Sequence, residues 1–183
     1  MADESPANGL RRIAAFVVAL GVFALDRWSK WIVETHFTAY DTKTVIPGFF
    51  NLVRSQNPGV AFGMFAENTS QSRTAVLIGV SIVAVVLLAG MLWRIDRLDS
   101  LSANGLALIF GGAMGNVFDR VRSGSVTDFL DFYTGSWHFY TFNVADASIS
   151  AGAGLLILSM LLTQRRGSGG ARGGSGNNRE ARA

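Results

Sequence analysis

Four long apolar stretches, each almost free of charged side chains, constrain this chain of 183 residues more than any other feature of its sequence. Residues 75–93 form a run of 19 without a charge, close to the roughly 20 apolar residues that a helix needs to cross a bilayer. Charged residues make up 16% of the chain, against about 25% in ordinary soluble domains. The sequence therefore predicts a mainly α-helical integral membrane protein, with spans at about residues 11–33, 75–93, 101–121 and 146–164.

The first apolar stretch has some features of a signal peptide, because Arg11 and Arg12 precede it. It is followed by Asp26, Arg27 and Lys30 rather than by the small residues of a cleavage site. We therefore interpret it as a first membrane helix that carries polar groups near its far end.

The two ends of the chain differ in composition from the membrane domain, which we place at residues 11–166. Residues 1–10 are polar and are predicted to form a disordered leader. Residues 167–183 are rich in glycine, serine and asparagine, which predicts a flexible, disordered tail. The sequence assigns no role to this tail.

Arginines mark one set of span ends. They precede the first span, lie between the second and third, and follow the fourth: Arg11, Arg12, Arg94, Arg97, Arg165 and Arg166. Lysine and arginine are enriched on the cytoplasmic side of membrane proteins, so both termini and the loop at 94–100 are predicted to be cytoplasmic. The connections at 34–74 and 119–146 are then outside the cell membrane. The modest net charge of +3 fits this topology better than binding to nucleic acid.

The first outer connection has the composition of a small sheet. Residues 44–53 are β-branched and aromatic around a Pro47-Gly48 turn, and residues 60–65 are similar. These patterns predict an extracytoplasmic β-cradle at about residues 38–66. We expect it to lie on the membrane surface, with aromatic side chains at the depth of the lipid headgroups.

Ionisable residues inside membrane spans are costly and indicate function. Here they gather at the outer ends of the spans. Asp26 and Lys30 are four residues apart and share a helix face, which fits either a structural ion pair or a place in a functional site. Asn57 is followed by Pro-Gly, a pattern that alone indicates only a turn.

A second group of polar residues surrounds the last two spans. Asn116, Asp119 and Arg120 fall within one helical turn, Asp128 follows eight residues after Arg120, and Asp146 stands where the fourth span begins. Asp119 with Arg120 is equally compatible with an ion pair that caps the third span. The position of Asp146 alone favours the ordinary role of an acid at the start of a helix over a catalytic role.

The available side chains limit the chemistry. The chain has no cysteine, only two histidines and no H-E-x-x-H motif, which excludes thiolate nucleophiles and the usual zinc sites. Serine without a base is a weak nucleophile. Two carboxylates that share a proton activate water without a metal or cofactor. The sequence thus favours an aspartic hydrolase that uses two of the carboxylates at the outer face of the membrane.

Five short motifs lie along the four spans. They are D-R-W-S-K at 26–30, N-P-G-V-A-F at 57–62, G-G-A-M-G-N-V-F-D-R at 111–120, V-T-D-F at 126–129 and F-N-V-A-D at 142–146. In their order and their places on the spans, these motifs resemble those of the lipoprotein signal peptidase family, also called signal peptidase II, and the resemblance covers residues 13–164.

The resemblance implies a four-helix bundle in the bacterial inner membrane with a surface β-cradle. We expect a monomer. It implies cleavage of prolipoproteins just before a cysteine that carries a diacylglyceryl group, and inhibition by globomycin. Asp128 and Asp146 match the catalytic aspartates of the family. The residues that match substrate-binding or supporting positions are Asn57, Asn116, Asp119, Arg120, Asn143, Asp26 and Lys30.

Two other classes of protein are compatible with four spans. A small transporter or channel would use the intramembrane polar residues as a path, but these residues gather at one face and leave the second span without a charge. Solute flux in proteoliposomes distinguishes this class. A non-catalytic scaffold would tolerate conservative changes at both Asp128 and Asp146.

Overall fold

The computed structural model describes residues 6–39, 41–59, 70–95 and 98–170. We number the helices and strands along the chain. They are α1 (Pro6–His36), β1 (Thr42–Ile46), β2 (Phe50–Asn57), α2 (Ser70–Trp93), α3 (Ser100–Ser123), β3 (Val126–Thr134), β4 (Trp137–His138) and α4 (Val144–Gly170).

All four helices are long and apolar enough to cross a membrane. Helix α3 packs against the other three helices, and 44% of its most apolar stretch is buried in the protein. The corresponding figure for α2 is 6%, because its aliphatic side chains point away from the protein. The predicted fold class, four membrane helices with a small antiparallel sheet, is confirmed.

Glycines on α3 allow its neighbours to approach closely. A Cβ atom at Gly111 would come within 3.0 Å of the backbone of α1, and one at Gly112 within 3.0 Å of the backbone of α4. At Gly115 the added atom would collide with the side chain of Asp26. Small residues support close packing of membrane helices, and here they bring the polar ends of α1 and α4 against α3.

The two ends of α3 have ordinary caps. Asp99 begins the helix by accepting hydrogen bonds from the N–H groups of Leu101 and Ser102. Gly124 ends it in the left-handed conformation, with φ of 75°, and donates its N–H to the carbonyl of Arg120. This sharp stop turns the chain directly into β3, so that Asp128 returns towards the end of α3.

The four strands form one antiparallel sheet in chain order. The hairpin of β1 and β2 surrounds the predicted Pro47-Gly48 turn, where Gly48 has φ of 77°. Strand β3 is a correction, because the sequence analysis treated residues 119–146 as a plain connection. Its partner β2 is distant in the chain, and no local pattern reveals that pairing. The predicted strand at 60–65 lies outside the described residues.

The outer bounds of the first and last helices also differ from expectation. Helix α1 already includes residues 6–10, and α4 continues through residues 167–170, where the sequence predicted a disordered leader and tail. Proline is well tolerated in the first turn of a helix, which suits Pro6. An established helix extends by one hydrogen bond per residue at little cost, which accounts for the extra turn of α4.

Candidate active site

The two predicted catalytic aspartates lie at the end of the bundle that carries the sheet, which we call the sheet end. Asp128 is buried near the start of β3, and Asp146 is in the first turn of α4. The chain before α4 runs beside β3, since Leu130 and Phe142 exchange hydrogen bonds of 2.8 and 3.1 Å. This pairing carries the start of α4, with Asp146, back to Asp128.

Asn143 connects both aspartates. Its side-chain Oδ1 accepts the backbone N–H of Asp146 at 2.9 Å, which caps α4. Because the oxygen is used in this way, the amide nitrogen must face the other direction, where Nδ2 donates to Asp128 Oδ1 at 2.7 Å. Asn143 is fully buried. One side chain therefore fixes both the start of α4 and the position of Asp128.

Asn116 is oriented in a similar way. The ammonium group of Lys30 can only donate, and it donates to Asn116 Oδ1 at 3.0 Å. The amide nitrogen is thereby turned towards Asp146, to whose Oδ1 it donates at 2.7 Å. Each aspartate thus faces an amide whose orientation is set by a third group.

Lys30 is the centre of a buried ionic network. Besides Asn116, it bonds Asp26 Oδ2 at 2.9 Å and Asp119 Oδ2 at 2.7 Å, and neither Lys30 nor Asp26 has any exposed surface. The other oxygen of Asp26 accepts the N–H of Ala145, the residue before Asp146. Asp26 and Lys30 therefore form a structural ion pair. Its two members also contact Ala145 and Asn116, which both adjoin Asp146. We call the candidate catalytic pair, Asp128 and Asp146, the dyad.

The proposed ion pair between Asp119 and Arg120 is wrong. Asp119 binds Arg27 and Lys30 on α1, because consecutive residues on a helix point in different directions. Arg120 makes only a long bond of 3.4 Å to the carbonyl of Asn116, and its buried Nε has no hydrogen-bond partner among the described residues. Arg27 is a network residue that the sequence analysis missed.

Asn57 connects the sheet to the dyad. Its Nδ2 donates to Asp128 Oδ2 at 3.0 Å and to the hydroxyl of Tyr140 at 2.8 Å. Asn57, Asp128 and Tyr140 all border an open cleft of about 380 Å³. Residues Ser55, Gln56, Asn57, Pro58, Asp128, Phe139, Tyr140 and Thr141 line it. Tyr140 was not predicted, since a tyrosine in a loop carries no local signal. The rest of the N-P-G-V-A-F motif, residues 60–62, is outside the described chain.

Burial raises the pKa of Asp128 from its ordinary value to about 6. The negative charge of Asp146 adds to the rise, while the N–H groups of Asn57 and Asn143 and the charge of Lys30 oppose it. Two neighbouring carboxylates resist simultaneous ionisation. Asp128 thus keeps a proton at a higher pH than an ordinary aspartate does.

The charges of the described residues in the network around Asp128 and Asp146 nearly balance. This network contains four carboxyl groups and three basic groups: Asp26, Asp119, Asp128 and Asp146, and Arg27, Lys30 and Arg120. Glu34 and Arg122 form a separate pair at 3.7 Å. Uncompensated charge is costly in a buried site at a membrane. The cluster is neutral when one carboxyl carries a proton, which is the state that water activation by two aspartates requires.

Comparisons with known proteins show the family of this chain. Residues 18–162 match the family described as signal peptidase (SPase) II. A lipoprotein signal peptidase of Solibacter usitatus is 51% identical over 155 residues, which cover 85% of this chain and 94% of the relative. One from Photorhabdus laumondii is 44% identical over 156 residues, covering 85% and 90%.

Solved structures match as well. One, described as a bacterial membrane enzyme determined by the in meso method at 2.3 Å, has a TM-score of 0.71 at 25% identity and covers 92% of this chain and 94% of its own. A second, at 1.9 Å, has a TM-score of 0.69 at 28% identity and covers 81% and 92%.

Four membrane helices, a small sheet and these matches define an integral, multi-pass membrane peptidase of the aspartic type. The chain belongs to the signal peptidase II family.

Proposed function

We propose that this enzyme removes the signal peptide of bacterial prolipoproteins just before a cysteine that carries a diacylglyceryl group, with Asp128 and Asp146 as the catalytic pair. One observation carries the proposal. Asp128 borders an open cleft, the charge of Asp146 lies close enough to act on it, and each of the two aspartates faces an amide whose orientation is fixed by another group. Family membership and the names of the relatives support the substrate class.

The pair hydrolyses a peptide bond as follows. The ionised aspartate takes a proton from a water molecule, which attacks the scissile carbonyl carbon. The protonated aspartate donates its proton to the carbonyl oxygen, so that the tetrahedral adduct carries no isolated charge. A proton then passes to the amide nitrogen and the C–N bond breaks. The products are a free signal peptide and a lipoprotein that begins with the lipidated cysteine.

The position of the cleft suits a lipidated substrate. A signal peptide is itself an apolar segment, so its scissile bond lies near the membrane surface while the diacylglyceryl chains stay in the bilayer. The cleft is at the sheet end of the helices, and Phe139 and Tyr140 border it. These aromatic rings are suited to cover a bound substrate and exclude bulk water from the reaction.

The decisive experiment uses purified protein in lipid. A diacylglyceryl-modified prolipoprotein should be shortened by the length of its signal peptide, and a globomycin-type inhibitor should stop the reaction. The unlipidated precursor is the matched control and should remain intact. Equal cleavage of both precursors would reject the proposed substrate class, and no cleavage of either would reject the proposed function.

Arg120 is proposed to bind the backbone of the substrate near the scissile bond. Arg120→Ala should slow cleavage roughly 10- to 100-fold, the effect of losing one charge-assisted hydrogen bond. Arg120→Lys should rescue it poorly, since it lacks the planar fork of donors. Asp119 keeps Arg27 and Lys30, so the variant should remain folded. Arg122→Ala, at an exposed position on the same helix, is the control, and equal rates in both alanine variants would remove Arg120 from the site.

We further propose that both termini are cytoplasmic and that the sheet end faces outwards. The start of α1 and the loop before α3 lie together, because Arg11 donates to the carbonyl of Leu98 at 2.8 Å. We call this end of the bundle, which carries Arg11, Arg12 and Arg94, the arginine end. It is opposite the dyad. Alkaline phosphatase fused after Gln164 should be inactive, whereas a fusion after Asp41 should be active. The reverse pattern would overturn the orientation.

A further inference from the structure

A second cleft, of about 480 Å³, lies at the arginine end, between the beginning of α1 and the end of α2. It is at the opposite end of α1 from the catalytic network. Arg12 and Asp26 are 14 residues apart on one helix, which corresponds to about 21 Å along its axis. The residues that line it are Gly9, Arg12, Ile13, Phe16, Val17, Leu20 and Trp93.

The α1 wall of this cleft is an apolar stripe. Ile13, Phe16 and Leu20 follow Gly9 at the spacing that places residues on one helix face. Ile13 and Leu20 each leave more than 60% of their surface uncovered by the protein. From Arg12 to Leu20 the stripe is about 12 Å long, which fits within the ~15 Å of hydrocarbon in one leaflet of a bilayer.

The end of the stripe is basic and aromatic. The guanidinium of Arg12 lies over the ring of Trp93, 5.1 Å from its centre, and this contact bridges the two helices. Arg11 directly precedes Arg12 in the chain, and the exposed Arg94 directly follows Trp93.

We propose that this cleft binds one anionic glycerophospholipid, with its phosphate at Arg12 and Trp93 and one acyl chain along Ile13, Phe16 and Leu20. Basic residues attract anionic headgroups, and tryptophan is favoured at headgroup depth. The amino-terminal part of a signal peptide is positively charged, so Arg12 disfavours it as an occupant. The site goes beyond the proposed function and does not depend on the identity of the substrate.

The test uses a full-length variant in which Trp28, Trp31 and Trp137 are changed to Phe, so that Trp93 is the remaining tryptophan. This variant is placed in vesicles of equal parts phosphatidylglycerol and phosphatidylcholine. Bromine on the acyl chains of one lipid or the other quenches the fluorescence of Trp93 when that lipid is adjacent. Quenching should show about a fivefold preference for phosphatidylglycerol, the factor that corresponds to about 1 kcal/mol for one basic residue. Arg12→Gln should remove the preference, and Arg122→Gln, at the other end, should leave it unchanged.

Native mass spectrometry of the unaltered protein provides a second measurement that does not depend on the tryptophan substitutions. One phosphatidylglycerol should remain bound, and the Arg12→Gln variant should lose it. Equal quenching by both lipids, or a preference that survives Arg12→Gln, would overturn the proposal. Loss of the preference on addition of a prolipoprotein substrate would also overturn it, because the cleft would then belong to the signal peptide.

Discussion

Asp146→Asn is expected to abolish cleavage while leaving the fold intact, and Asp128→Asn to abolish cleavage at some cost in stability. Asparagine is nearly isosteric with aspartate but cannot take or pass on the proton, so each rate should fall by roughly 10³-fold or more. At residue 146 the new side chain can still accept from Asn116 through its oxygen. Both oxygens of Asp128 accept N–H groups, so an amide there must turn its own NH₂ towards a donor.

The measurement is product formation from a lipidated precursor, beside thermal unfolding of the same samples. Asp41→Asn, at an exposed position outside the network, is the control and should keep full activity. The double variant should be little slower than either single one, because groups that act as a unit are non-additive. A dyad variant within about tenfold of the wild-type rate, a loss of only ~1.4 kcal/mol in the barrier, would rule out the two-aspartate mechanism.

The helices were predictable because their signal is local. An apolar stretch of about 20 residues permits few structures other than a membrane helix, and residues 75–93 needed no knowledge of their neighbours. The hairpin of β1 and β2 was predictable for the same reason, since the Pro47-Gly48 turn and both strands are adjacent in the chain. Strand β3 was not, because Asp128 and Asp131 interrupt its apolar residues and its partner β2 lies about 70 residues earlier in the chain.

The active site likewise has residues that the sequence identified and contacts that it could not predict. Motif order identified Asp128 and Asp146 as candidates, but no spacing rule links Arg27 to Asp119, which are separated by 92 positions. The adjacency of Asp119 and Arg120 even suggested the wrong pair. A sequence locates ionisable groups that need partners, whereas the choice of partner depends on how α1 packs against α3. That packing is governed by glycines such as Gly115, whose role becomes visible only in three dimensions.

Lys30→Met should be the most destabilising single change in the network. Methionine fills a similar volume, but it leaves the fully buried Asp26 without its cation and removes one of the two cations of Asp119. Breaking a buried pair from one side costs about 3–5 kcal/mol. Lys43→Met, on the exposed strand β1, is the matched control and should unfold like the wild type.

Adding Asp26→Asn to Lys30→Met should restore much of the lost stability but little of the activity. The second change removes the uncompensated charge, and the new amide oxygen can still accept the N–H of Ala145, so a coupling of about 1–3 kcal/mol is expected in a double-mutant cycle of unfolding. Activity should stay low, because only the longer bond from Asn143, at 3.3 Å, is then left to turn the amide nitrogen of Asn116 towards Asp146. If activity returned together with stability, Lys30 would serve the fold alone and the proposed control of the dyad through Asn116 would be wrong.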